Sequence, residues 1–264
     1  MSTAHAIDYR ILGDDLQFVE IELDPEESVV AEAGALMYME DGIAVETVFG
    51  DGSNRNQGFL DSLVGAGKRL LAGESLFMTL FHNRSTAKRR VAFSAPYPGK
   101  IVAVNLAALN GELLAQKDAF LCAAKGVSIG IALQKRLGAG FFGGEGFILE
   151  RLQGDGWVFV HAGGTLYERE LAAGEVLRVD TGCVVALQPT VDFDIQYVGN
   201  IKTALFGGEG IFFATLRGPG KIWLQSLTLS RMADRIVAAA PNIGGSRKEE
   251  GSVLGPFGRA FKSD

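Results

Sequence analysis

One phrase, Phe-Gly-Gly-Glu-Gly, stands twice in this chain, at 142–146 and at 206–210, with the second copy 64 residues after the first. Each copy leads into the same arrangement. After Gly146 come the apolar residues Phe147 to Leu152, the turn Gln153-Gly154-Asp155-Gly156, and the return segment Trp157 to His161. After Gly210 come Ile211 to Leu216, the turn Arg217-Gly218-Pro219-Gly220, and Lys221 to Gln225. Two short apolar segments around a glycine turn form a β-hairpin, and glycine reaches the positive φ values that such turns need. A weaker form lies upstream at Leu71-Ala72-Gly73-Glu74-Ser75, before Leu76 to Phe81. A β-hairpin that recurs must bury its faces against its own copies, so the units form one continuous architecture.

A second element recurs beside the first. Leu23-Asp24-Pro25-Glu26-Glu27, Leu109-Asn110-Gly111-Glu112 and Leu171-Ala172-Ala173-Gly174-Glu175 each place a leucine before a short acidic turn and a further strand. The expectation is an all-β chain of internally repeated antiparallel β-units, of double-stranded β-helix or sandwich type. The units run over 1–100, 101–164 and 165–228, followed by a C-terminal helix at 229–241 and a flexible tail at 242–264. Alternation at Ile7, Tyr9 and Ile11, and again at Val19, Ile21 and Leu23, marks the first strands. Ser28 to Tyr38 and Leu113 to Ala124 read as strands, the latter with a bend at Lys117-Asp118. Asn110-Gly111 is a strong hairpin dipeptide.

One segment departs from this pattern. Phe59, Leu60, Leu63, Val64 and Leu70 recur at helical spacing and predict an amphipathic helix inserted in the first unit, near 57–72. Its plain role is to cover one end of the β-core; its sharper role is contact with a subunit, a protein partner or a membrane surface. Near the C-terminus, Ser230 caps the second helix, Met232, Ile236 and Val237 form its apolar stripe, and Pro241 ends it.

A chain of 264 residues, 47% hydrophobic, can bury a large core. Its net charge of −6 disfavours a nucleic-acid binder. Cys122 and Cys183 are the whole cysteine complement, too few for a disulfide framework, which points to a reducing cytoplasm. No secretory leader opens the chain, and no apolar run is long enough to span a bilayer.

The chemistry-bearing residues are sparse. His5, His82 and His161 are scattered, without the spacing of a metal site. Gly138 to Gly143 fits G-x-G-x-x-G, but a strand follows it where the dinucleotide motif requires a helix. Gly65-Ala66-Gly67-Lys68 lacks the first glycine of a phosphate loop, and Arg69 stands where its Ser or Thr belongs. Asp192 and Asp194 alternate with apolar residues as the solvent face of a strand. Arg84, Lys88, Arg89 and Arg90 form a basic cluster at a turn, either a solvated hairpin end or a contact for anionic lipid or RNA. Glu74, Glu145 and Glu209, with Gly144 and Gly208, remain the candidate binding cluster. Their carboxylates either accept N–H groups within the glycine turns or converge around a pseudo-symmetry axis. No cofactor or catalytic set is expected.

Four stretches resemble a known family: Gly73 to Phe77, Leu137 to Phe147, Lys202 to Gly210, and Gly218 to Leu227. The chain is similar, to about Pro241, to an uncharacterised bacterial and archaeal family related to a mitochondrial biogenesis (altered inheritance of mitochondria) protein. The resemblance implies the fold of the tryptophan RNA-binding attenuator superfamily, with β-units assembling side by side, and implies no enzymatic activity. The mitochondrial relative is associated with the inner membrane. The resulting expectation is a non-catalytic β-scaffold that forms a homo-oligomer, a trimer or ring. A small-ligand or RNA-binding module is the alternative, and an enzyme the last.

Overall fold

The computed structural model describes residues 4–49, 77–135, 147–197 and 212–239. Among them are nineteen β-strands and one α-helix, and every ladder between strands is antiparallel. The all-β expectation holds, with the helix at the C-terminal end. The helix expected near 57–72 and the tail at 242–264 lie outside the described residues.

β1 (Asp8–Leu12) precedes a first group of six strands: β2 (Phe18–Leu23), β3 (Ser28–Glu32), β4 (Leu36–Met39), β5 (Ile43–Phe49), β6 (Phe77–Asn83) and β7 (Arg89–Ser94). A second group holds β8 (Gly99–Asn105), β9 (Glu112–Gln116), β10 (Phe120–Ala124), β11 (Ser128–Lys135), β12 (Phe147–Gln153) and β13 (Trp157–Gly163). The third holds β14 (Leu166–Leu171), β15 (Val176–Asp180), β16 (Val184–Leu187), β17 (Asp192–Tyr197), β18 (Phe212–Arg217) and β19 (Gly220–Gln225), before α1 (Leu229–Ala239). In every group the second strand pairs with the fifth and the fifth with the fourth, while the first pairs with the sixth and the sixth with the third.

The groups are joined by one further ladder each. β10 pairs with β3, setting Ala123 opposite Val30, and β16 pairs with β9, setting Leu187 opposite Leu114. Each join fuses a three-strand half-sheet of one group to a half-sheet of the next. The result is two six-stranded sheets, β5-β6-β3-β10-β13-β8 and β11-β12-β9-β16-β19-β14. A four-stranded sheet, β1-β2-β7-β4, and a three-stranded sheet, β15-β18-β17, are left outside them.

Three apolar layers hold the sheets together. Val19, Ile21, Leu23, Val91 and Phe93 of the four-stranded sheet pack on Val29, Ala31, Phe81 and Phe159 of the first six-stranded sheet. The opposite face of that sheet, with Val30, Leu80, Val158 and Val160, packs on Leu113, Ala115, Leu152 and Trp223 of the second. Phe147, Leu149 and Ile222 then pack on Leu177, Val179, Ala214 and Leu216 of the three-stranded sheet. Both six-stranded sheets are therefore covered on both faces, so apolar and polar residues do not alternate cleanly along their strands.

Three local readings change. Ser28 to Tyr38 is two strands, because the chain turns at Gly34, where φ is +90°. Leu113 to Ala124 is also two, parted by a 3-10 turn at Lys117–Ala119. The cap of α1 is Thr228: its Oγ1 accepts from Arg231 N at 3.1 Å, while Ser230 Oγ lies 3.0 Å from that hydroxyl. The apolar stripe of α1 is exposed, with Ile236 and Val237 each 61% accessible.

Candidate functional site

The candidate cluster Glu74, Glu145, Glu209, Gly144 and Gly208 lies outside the described residues, as does the candidate contact stripe Phe59, Leu60, Leu63, Val64 and Leu70. The basic cluster is placed, and its charges are taken up within the chain. Lys88 Nζ lies 2.9 Å from Glu22 and 3.2 Å from Asp24, and Arg90 Nη2 lies 2.9 Å from Glu22. Arg84 pairs with Glu46 at 2.6 Å, and Arg89 Nε donates to the Asp41 carbonyl at 2.8 Å. Each of these four cations thus meets a carboxylate or carbonyl oxygen of its own chain at this hairpin end. Asp192 and Asp194 are exposed on β17. Among the described residues no group of three His, Cys, Asp or Glu side chains is placed to hold a metal ion.

An acidic cluster does form around one buried carboxyl, from residues that the sequence pattern did not single out as a site. Glu150 on β12 is 1% exposed, and its Oε2 has no hydrogen-bond partner among the described residues. Burial first, then the nearby Glu32 carboxylate, push its pKa up to about 8, with Asp118 adding to the rise and Lys117 opposing it. Glu32, at the end of β3, is pushed up to about 7, again by burial first and then by Asp118. Asp118 accepts from Gln116 Nε2 at 3.0 Å. These side chains come from two groups of strands, so the cluster lies where the first group meets the second.

A second polar seam lies at the join of the second and third groups. Gln225 Oε1 accepts from Gly163 N at 2.7 Å, and its Nε2 donates to the Gly182 carbonyl at 2.7 Å. His161 on β13 is 1% exposed and meets the Tyr97 ring edge-on at 4.5 Å. Among the described residues neither ring nitrogen reaches a partner at hydrogen-bonding geometry, and burial lowers its pKa to about 4, with the Tyr97 backbone opposing part of the shift. His161, a neutral imidazole, and Glu150, a carboxyl pushed toward its protonated form, are sealed from solvent, whereas Glu32 is half-buried and Asp118 exposed.

The other distinctive feature is at the ends of the architecture. The register of the joining ladders makes β4, β10 and β16 equivalent: Met39, Ala123 and Leu187 stand opposite Val91, Val158 and Ile222. Each of the three strands carries a bulge two residues before those positions. β10 and β16 are buried throughout, whereas every residue of β4 is exposed. Likewise β3 and β9 are mostly buried, while their equivalent β15 exposes Val176 at 46%. β4 bonds only to β7 and β15 only to β18 among the described strands.

Comparison with known proteins agrees with this architecture. Residues 9–227 match the sequence profile of the mitochondrial biogenesis AIM24 family. The chain belongs to that family. An uncharacterised protein of Streptococcus pyogenes serotype M6 is 29% identical over 226 residues, covering 84% of this chain and 86% of the relative. A crystal structure of a Streptococcus pyogenes protein superimposes with a TM-score of 0.71 at 25% identity, covering 89% of this chain and 100% of that one. The AIM24 match begins inside β1 and ends just before α1, so it takes in all three groups of strands. Among the described residues no helix is long and apolar enough to cross a membrane.

Proposed function

We propose that this AIM24-family chain is a non-catalytic β-scaffold built from three pseudo-repeats of one six-strand unit, and that it self-assembles through those units into a ring or trimer. One observation carries the reading. The contact that joins unit to unit is made twice within the chain, and each terminal unit keeps one half of it unused among the described strands. An exposed strand edge is a ready template for pairing, and soluble chains normally blunt it with charge or proline. β4 reads Leu-Met-Tyr-Met and carries neither. Sealing of Glu150 and His161 inside packed junctions supports a structural role over a catalytic one. Self-neutralisation of the basic cluster weighs against an RNA-binding module. The protein works, in this reading, in a reducing cytoplasm; the buried thiol of Cys122, which is in no disulfide, supports that placement.

Light scattering at micromolar concentration tests the proposal. The expected result is one species at a whole-number multiple of the chain mass, whereas a clean monomer would sink it.

A further inference from the structure

Resting on that reading, we infer that β15 of one copy pairs antiparallel with β4 of the next, in the register the chain already uses inside itself. The internal joins set Val30 opposite Ala123 and Leu114 opposite Leu187. In the intra-unit ladders Val29, Leu113 and Leu177 face Phe81, Leu152 and Leu216, which makes Val30, Leu114 and Arg178 equivalent. Ala123 and Leu187 are in turn equivalent to Met39. The missing ladder therefore sets Arg178 of one copy opposite Met39 of its neighbour, and Val179 opposite Tyr38.

The exposed side chains fit this occupant. Leu36, Met37, Tyr38 and Met39 are 40%, 53%, 37% and 43% accessible, while the equivalent residues Phe120, Cys122 and Ala123 are at most 2%. The bulge in β4 does not prevent pairing, because β10 and β16 carry the same bulge and pair across it. Closure within one chain is disfavoured by the layering. The four-stranded and three-stranded sheets are at opposite ends of the three apolar layers, with both six-stranded sheets between them. Stacked sheets are about 10 Å apart, whereas paired strands are about 5 Å apart. The contact joins two different surfaces, so it is head-to-tail and propagates until the rotation closes a ring.

Disulfide trapping tests the register. In a Cys183→Ser background, chains carrying Met39→Cys are mixed with differently tagged chains carrying Arg178→Cys and oxidised mildly. Opposed residues of an antiparallel pair are about 4.5–5.5 Å apart, within disulfide reach. The expected product is a mixed dimer linking the two tags, and no such product when Val179→Cys, which points to the other face, replaces Arg178→Cys. A mixture that light scattering shows to be assembled but that fails to cross-link at 39 and 178 would overturn the inference and leave self-assembly standing. A monomer would sink both. Cross-linking within a single chain carrying both cysteines, without dimers, would also overturn it. Charge reversal gives an independent readout. Met39→Lys faces Arg178 with a like charge and raises the concentration at which dilution dissociates the assembly roughly five-fold. Adding Arg178→Glu restores it, and a failure to restore counts against the pairing.

Discussion

Glu150 shows how a single residue ties the junction of the first two groups to pH. It stands opposite Ala115 in the β9–β12 ladder, and Glu32 reaches it from β3. Its ordinary pKa of 4.5 is raised to about 8 by burial and then by the Glu32 carboxylate. Between those two values the folded chain holds a proton that the unfolded chain has released. Stability contributed by this proton is thus complete below about pH 4.5, falls as pH rises, and is lost above about pH 8. One pKa unit corresponds to about 1.4 kcal/mol, so Glu150 accounts for a loss of roughly 5 kcal/mol across the window. His161 acts on the acid side: held near 4 by burial, it binds its proton more readily when unfolded and destabilises the fold as pH falls below 6.5. Glu150→Gln keeps the neutral shape without the proton. Urea denaturation at pH 6 and pH 9 is expected to show wild-type stability dropping and the variant dropping by well under half as much, the remainder coming from Glu32, whose pKa of about 7 also lies in this range. An equal drop in both would remove Glu150 as the cause.

Individual strands were legible in the sequence wherever glycine turns bracket them. Phe147 to Leu152 and Trp157 to His161 read as a hairpin, and β12 and β13 occupy Phe147–Gln153 and Trp157–Gly163. The break between β9 and β10 showed only as a bend at Lys117-Asp118 in one long strand, because Gln116-Lys117-Asp118-Ala119 turns without glycine or proline. Glu150 was hidden for another reason. Glu-Arg-Leu-Gln at the end of β12 looks like a solvent edge, but a strand covered on both faces buries residues of either parity. The phrase at 142–146 and its copy at 206–210 gave the hairpins that follow them; the role of their glutamates lies outside the described residues. At this scale Gly163, the last residue of β13, is closely packed by Tyr97 and Leu227. A Cβ on Gly163 would fall 2.2 Å from the Leu227 carbonyl oxygen and 2.4 Å from the Tyr97 ring, while one on Gly130 in β11 would meet nothing within 4 Å. Gly163→Ala is expected to cost about 1–3 kcal/mol, the usual penalty of overpacking, and Gly130→Ala to change stability by under about 0.5 kcal/mol. Chemical denaturation of the two variants measures both, and comparable effects would contradict the assigned packing.

For the molecule as a whole, the decisive fact is that no group of six strands owns its sheets. Half of each six-stranded sheet comes from one group and half from the next, so removing one group strips both a ladder partner and an apolar cover from its neighbour. Such a chain should unfold as one cooperative unit, unlike a string of independent domains whose probes report separate transitions. The two tryptophans are placed to distinguish these cases. Trp157 lies on β13 of the second group, against Tyr9 of β1 at 5.0 Å. Trp223 lies on β19 of the third group, in the layer between the two six-stranded sheets. Trp157→Phe and Trp223→Phe each leave one fluorescent reporter in a different group. Each variant's fluorescence transition in urea is expected to coincide with its own far-UV circular dichroism transition. A Trp223 transition that precedes the loss of β-structure would mean that the third group unfolds alone. The ladder between β9 and β16 would then be a contact between separate domains, and the shared-sheet argument that makes β4 and β15 the unused halves of the same contact would lose its footing.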